Sequence, residues 1–169
     1  MEVLVSERLR LRWLKADDAP FILRLVNDPD WLRFIGDRGI RTPEDAAAYI
    51  ERSFLGMCQR LGFGLYLVEL LDDGTPVGIC GLIKRDSLAD VDIGFAFLPE
   101  YRGRGYGYEA AAATLTHARR DLGLKRVVAI TTSDNERSAR LLERLGMRHE
   151  SMVAGHDGES PLRLYATTE

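Results

Sequence analysis

Hydrophobic and polar positions alternate early in the chain. From Glu7 to Leu14, Leu9, Leu11 and Trp13 oppose Arg8, Arg10 and Arg12, the two-residue period of a half-buried strand. Asp17 or Asp18 then caps a predicted helix with Pro20 in its first turn, ending near Asn27-Asp28-Pro29. A short helix over Asp30 to Ile35 carries Trp31 and Phe34, and Gly36 to Gly39 is a loop. Thr42-Pro43 opens a longer helix, a capping hydroxyl followed by proline at the first helical position. Ala47, Ile50, Phe54 and Leu61 follow its apolar face.

The middle of the chain reads as β-structure. Strands are predicted at Phe63 to Leu70 and Pro76 to Lys84, joined by the turn Leu71 to Thr75 as a hairpin. A third runs from Ala89 to Leu98. Its Val91, Ile93, Phe95 and Phe97 share a bulky face, and Asp90, Asp92, Gly94 and Ala96 a small one. The small face leaves room for a ligand or for a tightly packed helix. A helix follows to about Leu122, stopped by Gly123, then a short apolar strand from Val127 to Thr131, which makes a parallel βαβ unit. Ser133 to Glu136 reads as a capping box for a last helix to Leu145. Met147 to Val153 and Pro161 to Thr167 form a terminal hairpin. The fold class is mixed α/β: a mostly antiparallel twisted sheet with one parallel βαβ unit and flanking helices.

Length and charge change this picture little. The chain has 169 residues and a formal net charge of -3, which suits one domain over residues 1–169. No stretch reads as a targeting signal or a membrane span, so a cytoplasmic protein without membrane partners is expected. The mild acidity gives no reason to expect nucleic acid and weakly permits a cationic substrate. Cys58 and Cys80 read as core thiols, and no metal-ligand spacing appears. His117, His149 and His156 are scattered and read as non-catalytic. The terminal hairpin offers an edge on which a second copy could pair as a homodimer.

The candidate chemistry centres on Arg102-Gly103-Arg104-Gly105-Tyr106-Gly107 between a strand and a helix. Three glycines let a ligand approach the main chain. The helix N-terminus presents unpartnered N–H groups with partial positive charge, and Arg102 and Arg104 add cationic donors, so the stretch reads as a pyrophosphate cradle. Asp92, on the small strand face, is a candidate general base for an amine, and Glu69 is a second, while Glu100 and Glu109, which flank the cradle, read as solvated or helix-end charges. Asn135 and Ser138 lie on the inward side of the last helix, with Arg137, Arg140 and Arg144 on its outer face. They either touch a ligand threading between the parallel strands or bond locally to backbone.

The run Asp92-Ile93-Gly94-Phe95 with Leu98 to Gly107 resembles the acyl-CoA-binding motif of the GNAT superfamily of N-acetyltransferases, Arg/Gln-x-x-Gly-x-Gly/Ala, matched by Arg102, Gly105 and Gly107. Asn135 to Met147 is similar to the family's second signature, and Glu7 to Ala19 resembles its ribosomal-protein N-terminal and spermidine acetyltransferase branch. The resemblance implies acetyl-CoA as co-substrate between two splayed strands, its pyrophosphate on the amides from Arg102 to Gly107. The strand backbone through Phe95, Phe97 and Leu98 would hold the pantetheine arm. A primary amine would attack directly, without an acyl-enzyme. It also implies a tyrosine acid at a position held here by Leu142, leaving Ser138 or a water for that role, and a glutamate where this chain has Asp92. Two alternatives compete: a dinucleotide-binding domain, from the Gly-x-Gly-x-x-Ala run at Gly105 to Ala110, and a non-catalytic acyl-CoA-binding regulator.

Overall fold

The computed structural model describes residues 1–155 and 159–168; His156 lies outside them. Eight strands form one sheet in the order β1-β2-β3-β4-β5-β6-β8-β7. The strands are β1 (Glu2–Val5), β2 (Leu9–Arg12), β3 (Leu65–Leu70), β4 (Pro76–Ile83), β5 (Asp92–Phe97), β6 (Val128–Thr132), β7 (Arg148–Val153) and β8 (Leu162–Ala166). Strand β1 was not expected; Val3 and Leu4 pack weakly on the core, and four residues give too short a pattern to read. Every pairing is antiparallel except β5 with β6. One parallel pair rules out the wound parallel sheet of a dinucleotide fold.

Helices cover both faces. On one side lie α1 (Ala19–Val26), α2 (Pro29–Phe34), α3 (Pro43–Tyr49) and α4 (Gly56–Leu61), the last two joined by a π-helical segment, Ile50–Leu55. On the other lie α5 (Tyr106–Arg120) and α6 (Glu136–Arg144). The alternation along β5 sorts these layers. Ile93 and Phe97 pack with Ala110, Ala111 and Ala118 of α5, whose short side chains let that helix sit close to the sheet. Leu98 and Ala96 pack with the α1–α3 side.

Three local expectations change. Asp18 stands at the N-cap position of α1 but does not cap it; Arg12 grips its carboxylate with two 2.9 Å bonds and the Lys15 N–H donates to it at 2.9 Å, so its oxygens serve the turn before α1. The cap of α6 is Asn135, which accepts from the Ser138 N–H at 3.2 Å, rather than Ser133. Leu61 is exposed because the chain turns at Gly62 (φ 81°), and Cys58 fills the buried turn. Thr42 caps α3 through the Asp45 N–H, as its Thr-Pro start requires.

Candidate active site

The parallel pair β5–β6 registers only at Asp92↔Val128, with the Val128 N–H bonded to the Val91 carbonyl at 3.0 Å. Beyond that point the two strands splay. Main-chain groups alternate across a strand: the Leu98 N–H bonds β4 through the Val77 carbonyl, so the Phe95 N–H and carbonyl point at β6. Among the described residues the β5–β6 pairing does not extend to Phe95. The splay opens a cavity of about 1020 Å³ that passes through the sheet, lined by α5 and α6 on one side and by α1, α2 and the π segment on the other.

At the α5 end, Gly103 and Gly105 adopt left-handed φ values of 76° and 83°, a turn that a side chain would strain. The N–H groups of six consecutive residues, Gly103 to Tyr108, donate to no protein group among the described residues. The first helical hydrogen bond to close the turn is Glu109 N–H to the Gly105 carbonyl at 3.0 Å. Such a concave row of free amides at a fifteen-residue helix fits an anionic phosphate. Arg140 and Arg144 of α6 line the same end, Arg144 with its guanidinium 4.8 Å from the centre of the Tyr108 ring.

The two cradle arginines do not act as expected. The Arg102 guanidinium donates to Asp30 (2.7 Å), Asp28 (3.0 Å) and the Phe97 carbonyl (2.8 Å), so it straps the cradle to α2. Arg104 is exposed and outside the cavity lining; its carbonyl accepts from Arg8 at 3.0 Å. Leu98 is also outside: its side chain is 2% exposed in the α1-side core, and its N–H and carbonyl are both spent on the chain. The remaining predicted residues line the cavity: Asp92, Phe95, Phe97, Arg102, Gly103, Gly105, Tyr106, Gly107, Asn135 and Ser138.

Asp92 sits at the crotch of the splay, 1% exposed, on the α1–α4 face. Burial pushes its carboxyl up to about 6, against the pull of the Arg85 guanidinium 3.1 Å away. Arg85 was missed by sequence reading, although Ile83 pairs with Asp92 across the hairpin and residue 85 continues the same face. Glu69, the second candidate base, is held by Arg10 and Arg12 at the β2–β3 pair, outside the cavity lining. Glu109 was read as a solvated charge. It instead receives Ser6 (2.6 Å), the Arg8 N–H (2.8 Å) and the Arg8 side chain (2.7 Å), tying the β1–β2 turn to α5. Burial raises its pKa, but these bonds outweigh it and hold it below the usual value. Cys58 and Cys80 are core thiols that burial pushes up to about 11 and about 12, too high for a thiolate nucleophile.

Residues 8–148 match the acetyltransferase (GNAT) domain family. The chain is 26% identical over 147 residues to an uncharacterized N-acetyltransferase of Bacillus subtilis, YnaD, covering 87% of this chain and 83% of that one. It superposes on the GNAT-family acetyltransferase of Bacillus anthracis with a TM-score of 0.80 and 27% identity, covering 98% and 97% of the two chains. It shares the fold of RimL, a ribosomal L7/L12 alpha-N-protein acetyltransferase solved with coenzyme A (TM-score 0.82, 20% identity, 98% and 97% covered). With a through-sheet cavity at one splayed parallel pair, a row of free amides at α5, and a family match over most of its length, the chain belongs to the GNAT acetyltransferase family.

Proposed function

We propose that this protein moves the acetyl group of acetyl-CoA to a primary amine by direct attack, with Asp92 as the base. The observation that carries the reading is the cavity: free amides at one end, a buried carboxylate at the crotch, and a second opening on the α1–α4 side. Acetyl-CoA supplies the activated acyl group when bound. The amides from Gly103 to Tyr108 and the α6 arginines hold its phosphates. The open Phe95 main chain holds its arm in line with the gap. The amine arrives as an ammonium, which has no lone pair; an unperturbed lysine-type amine titrates near ~10.4. Asp92 takes that proton, directly or through a water. As the C–S bond breaks, Ser138, which lines the cavity, relays the second proton of the amine nitrogen to the leaving thiolate, since Leu142, at the family's tyrosine position, has no proton to give. The two buried thiols, pushed up to about 11 and about 12, are not candidates for an acyl-enzyme nucleophile, which supports direct attack.

The sign of the pH dependence is fixed by the raised pKa. Asp92 is a base only when ionised, so the rate rises with pH through about 6. Asp92→Asn is expected to lower kcat by about 10²–10⁴-fold and to abolish that limb, with acetyl-CoA affinity retained. Thiol release from acetyl-CoA with an amine panel measures both. For stability the sign is opposite. A carboxyl whose folded pKa is raised contributes stability below its unfolded value and loses it as pH climbs through about 6. The variant is therefore expected to melt no lower than the parent at pH 7, which separates a catalytic loss from misfolding. An unchanged pH profile overturns the role of Asp92. No rise in melting temperature with acetyl-CoA overturns the reading as a whole.

A further inference from the structure

The chain carries a net charge of -3, yet among the described residues the cavity is lined by seven arginines and three aspartates. Their division between the two ends is informative. Arg140 and Arg144 belong to α6 and line the proposed phosphate end, whereas Arg137 of the same helix reaches across to Asp30 of α2 at 3.4 Å. On the α1–α4 side each lining carboxylate among the described residues already has a guanidinium: Asp28 holds Arg102, Asp30 holds both Arg102 and Arg137, and Asp92 holds Arg85. Arg38 and Arg52 line that same side and make no ion pair or hydrogen bond among the described residues. Arg52 is carried on the π-helical segment, a rare conformation that occurs mostly where a helix has been reshaped for function. The wall between these arginines and Asp92 is apolar, with Trp31, Phe34, Tyr49 and Met57.

Resting on the proposed acetyl transfer, we infer that the acceptor is an amine bearing a carboxylate on an apolar body, with Arg52 and Arg38 receiving the carboxylate while the amine reaches Asp92. A guanidinium offers a planar pair of donors that matches a carboxylate, and Arg38 and Arg52 have donors to spare. A polyamine meets the opposite field. Its second ammonium would find the wall's carboxylates engaged and two unengaged cations nearby. The mild acidity of the whole chain, which favours a cationic substrate, is thus reversed locally at the acceptor opening.

The test uses the intact protein, acetyl-CoA and matched amines that differ by one carboxylate: phenylalanine against phenethylamine, and glycylphenylalanine against glycylphenethylamide, with spermidine as a fifth probe. Thiol release is expected to give a kcat/KM at least about tenfold higher for the acid in one or both pairs, the scale of one charge-assisted hydrogen bond. Arg52→Gln is expected to raise KM for that acid about tenfold more than for its uncharged partner, and Arg52→Lys to restore part of the difference. Equal or faster transfer to the uncharged members or to spermidine overturns the inference, as does an equal effect of Arg52→Gln on both members of a pair. In those outcomes transfer still occurs, so the proposed function stands. Turnover of none of the five while acetyl-CoA still raises the melting temperature also overturns it, since the carboxylate then confers nothing. Only the loss of that acetyl-CoA shift takes the proposed function down with it.

Discussion

The proposed phosphate end and the proposed acceptor end of the cavity are built from different materials. At α5 the ligand-facing groups are main-chain amides from six consecutive residues, set by two left-handed glycines. On the α1–α4 side they are side chains from α2, the loop at Arg38, the π segment, the β4–β5 connection and β5. A site of backbone depends on φ and ψ and tolerates any side chain that leaves them alone. A site of side chains depends on each residue's identity and on the packing that brings distant segments together. Arg102 joins the two: its sequence position is in the cradle, but its guanidinium serves α2.

That contrast can be broken most severely at Gly105. Alanine there must hold φ near 83° with its Cβ 3.2 Å from the Arg8 guanidinium, at about 1–2 kcal/mol of backbone strain. CoA affinity is expected to fall at least about tenfold, read by calorimetry, with the melting temperature down by about 2–8 °C. Arg102→Gln sharpens the comparison from the other side. It leaves the buried Asp28 without its cation, for a loss of about 2–3 kcal/mol and about 4–12 °C in melting temperature. CoA affinity is expected to change by less than about threefold, because the amides and not this guanidinium meet the phosphates; a tenfold loss would return Arg102 to the cradle. Gly107→Ala should do least. A Cβ there lies 3.7 Å from Leu141 and from the Phe97 ring, ordinary contact, and the φ is not left-handed. Stability within about 1 kcal/mol of the parent and unchanged CoA binding are expected from melting and titration.

The legibility of each part follows the same division. The alternation along β5, the Thr42 cap, the glycine stop at Gly123 and the glycine turn that opens α5 were readable, because each is fixed by residues within one turn or one strand. The errors came where a distant partner competed. Asp18 was drawn from its cap by Arg12, Arg102 from phosphate by Asp28 and Asp30, and Glu109 from solvent by Ser6 and Arg8. The π segment left no mark on the apolar period, which Ile50 and Phe54 satisfy in either helix form.

The sequence by itself determined the order of elements from β2 on, the parallel unit and the glycine-turned backbone at the start of α5, since glycine conformations, caps and strand alternation are local properties. Only the tertiary structure decided which charges are spoken for. Whether an arginine is a strap or an open donor depends on carboxylates as many as 107 residues away, as with Arg137 and Asp30, and those distances are set by how the layers pack. The pairing of Asp92 with Arg85 and the unpaired state of Arg38 and Arg52 among the described residues, on which the choice of acceptor turns, belong to that second class.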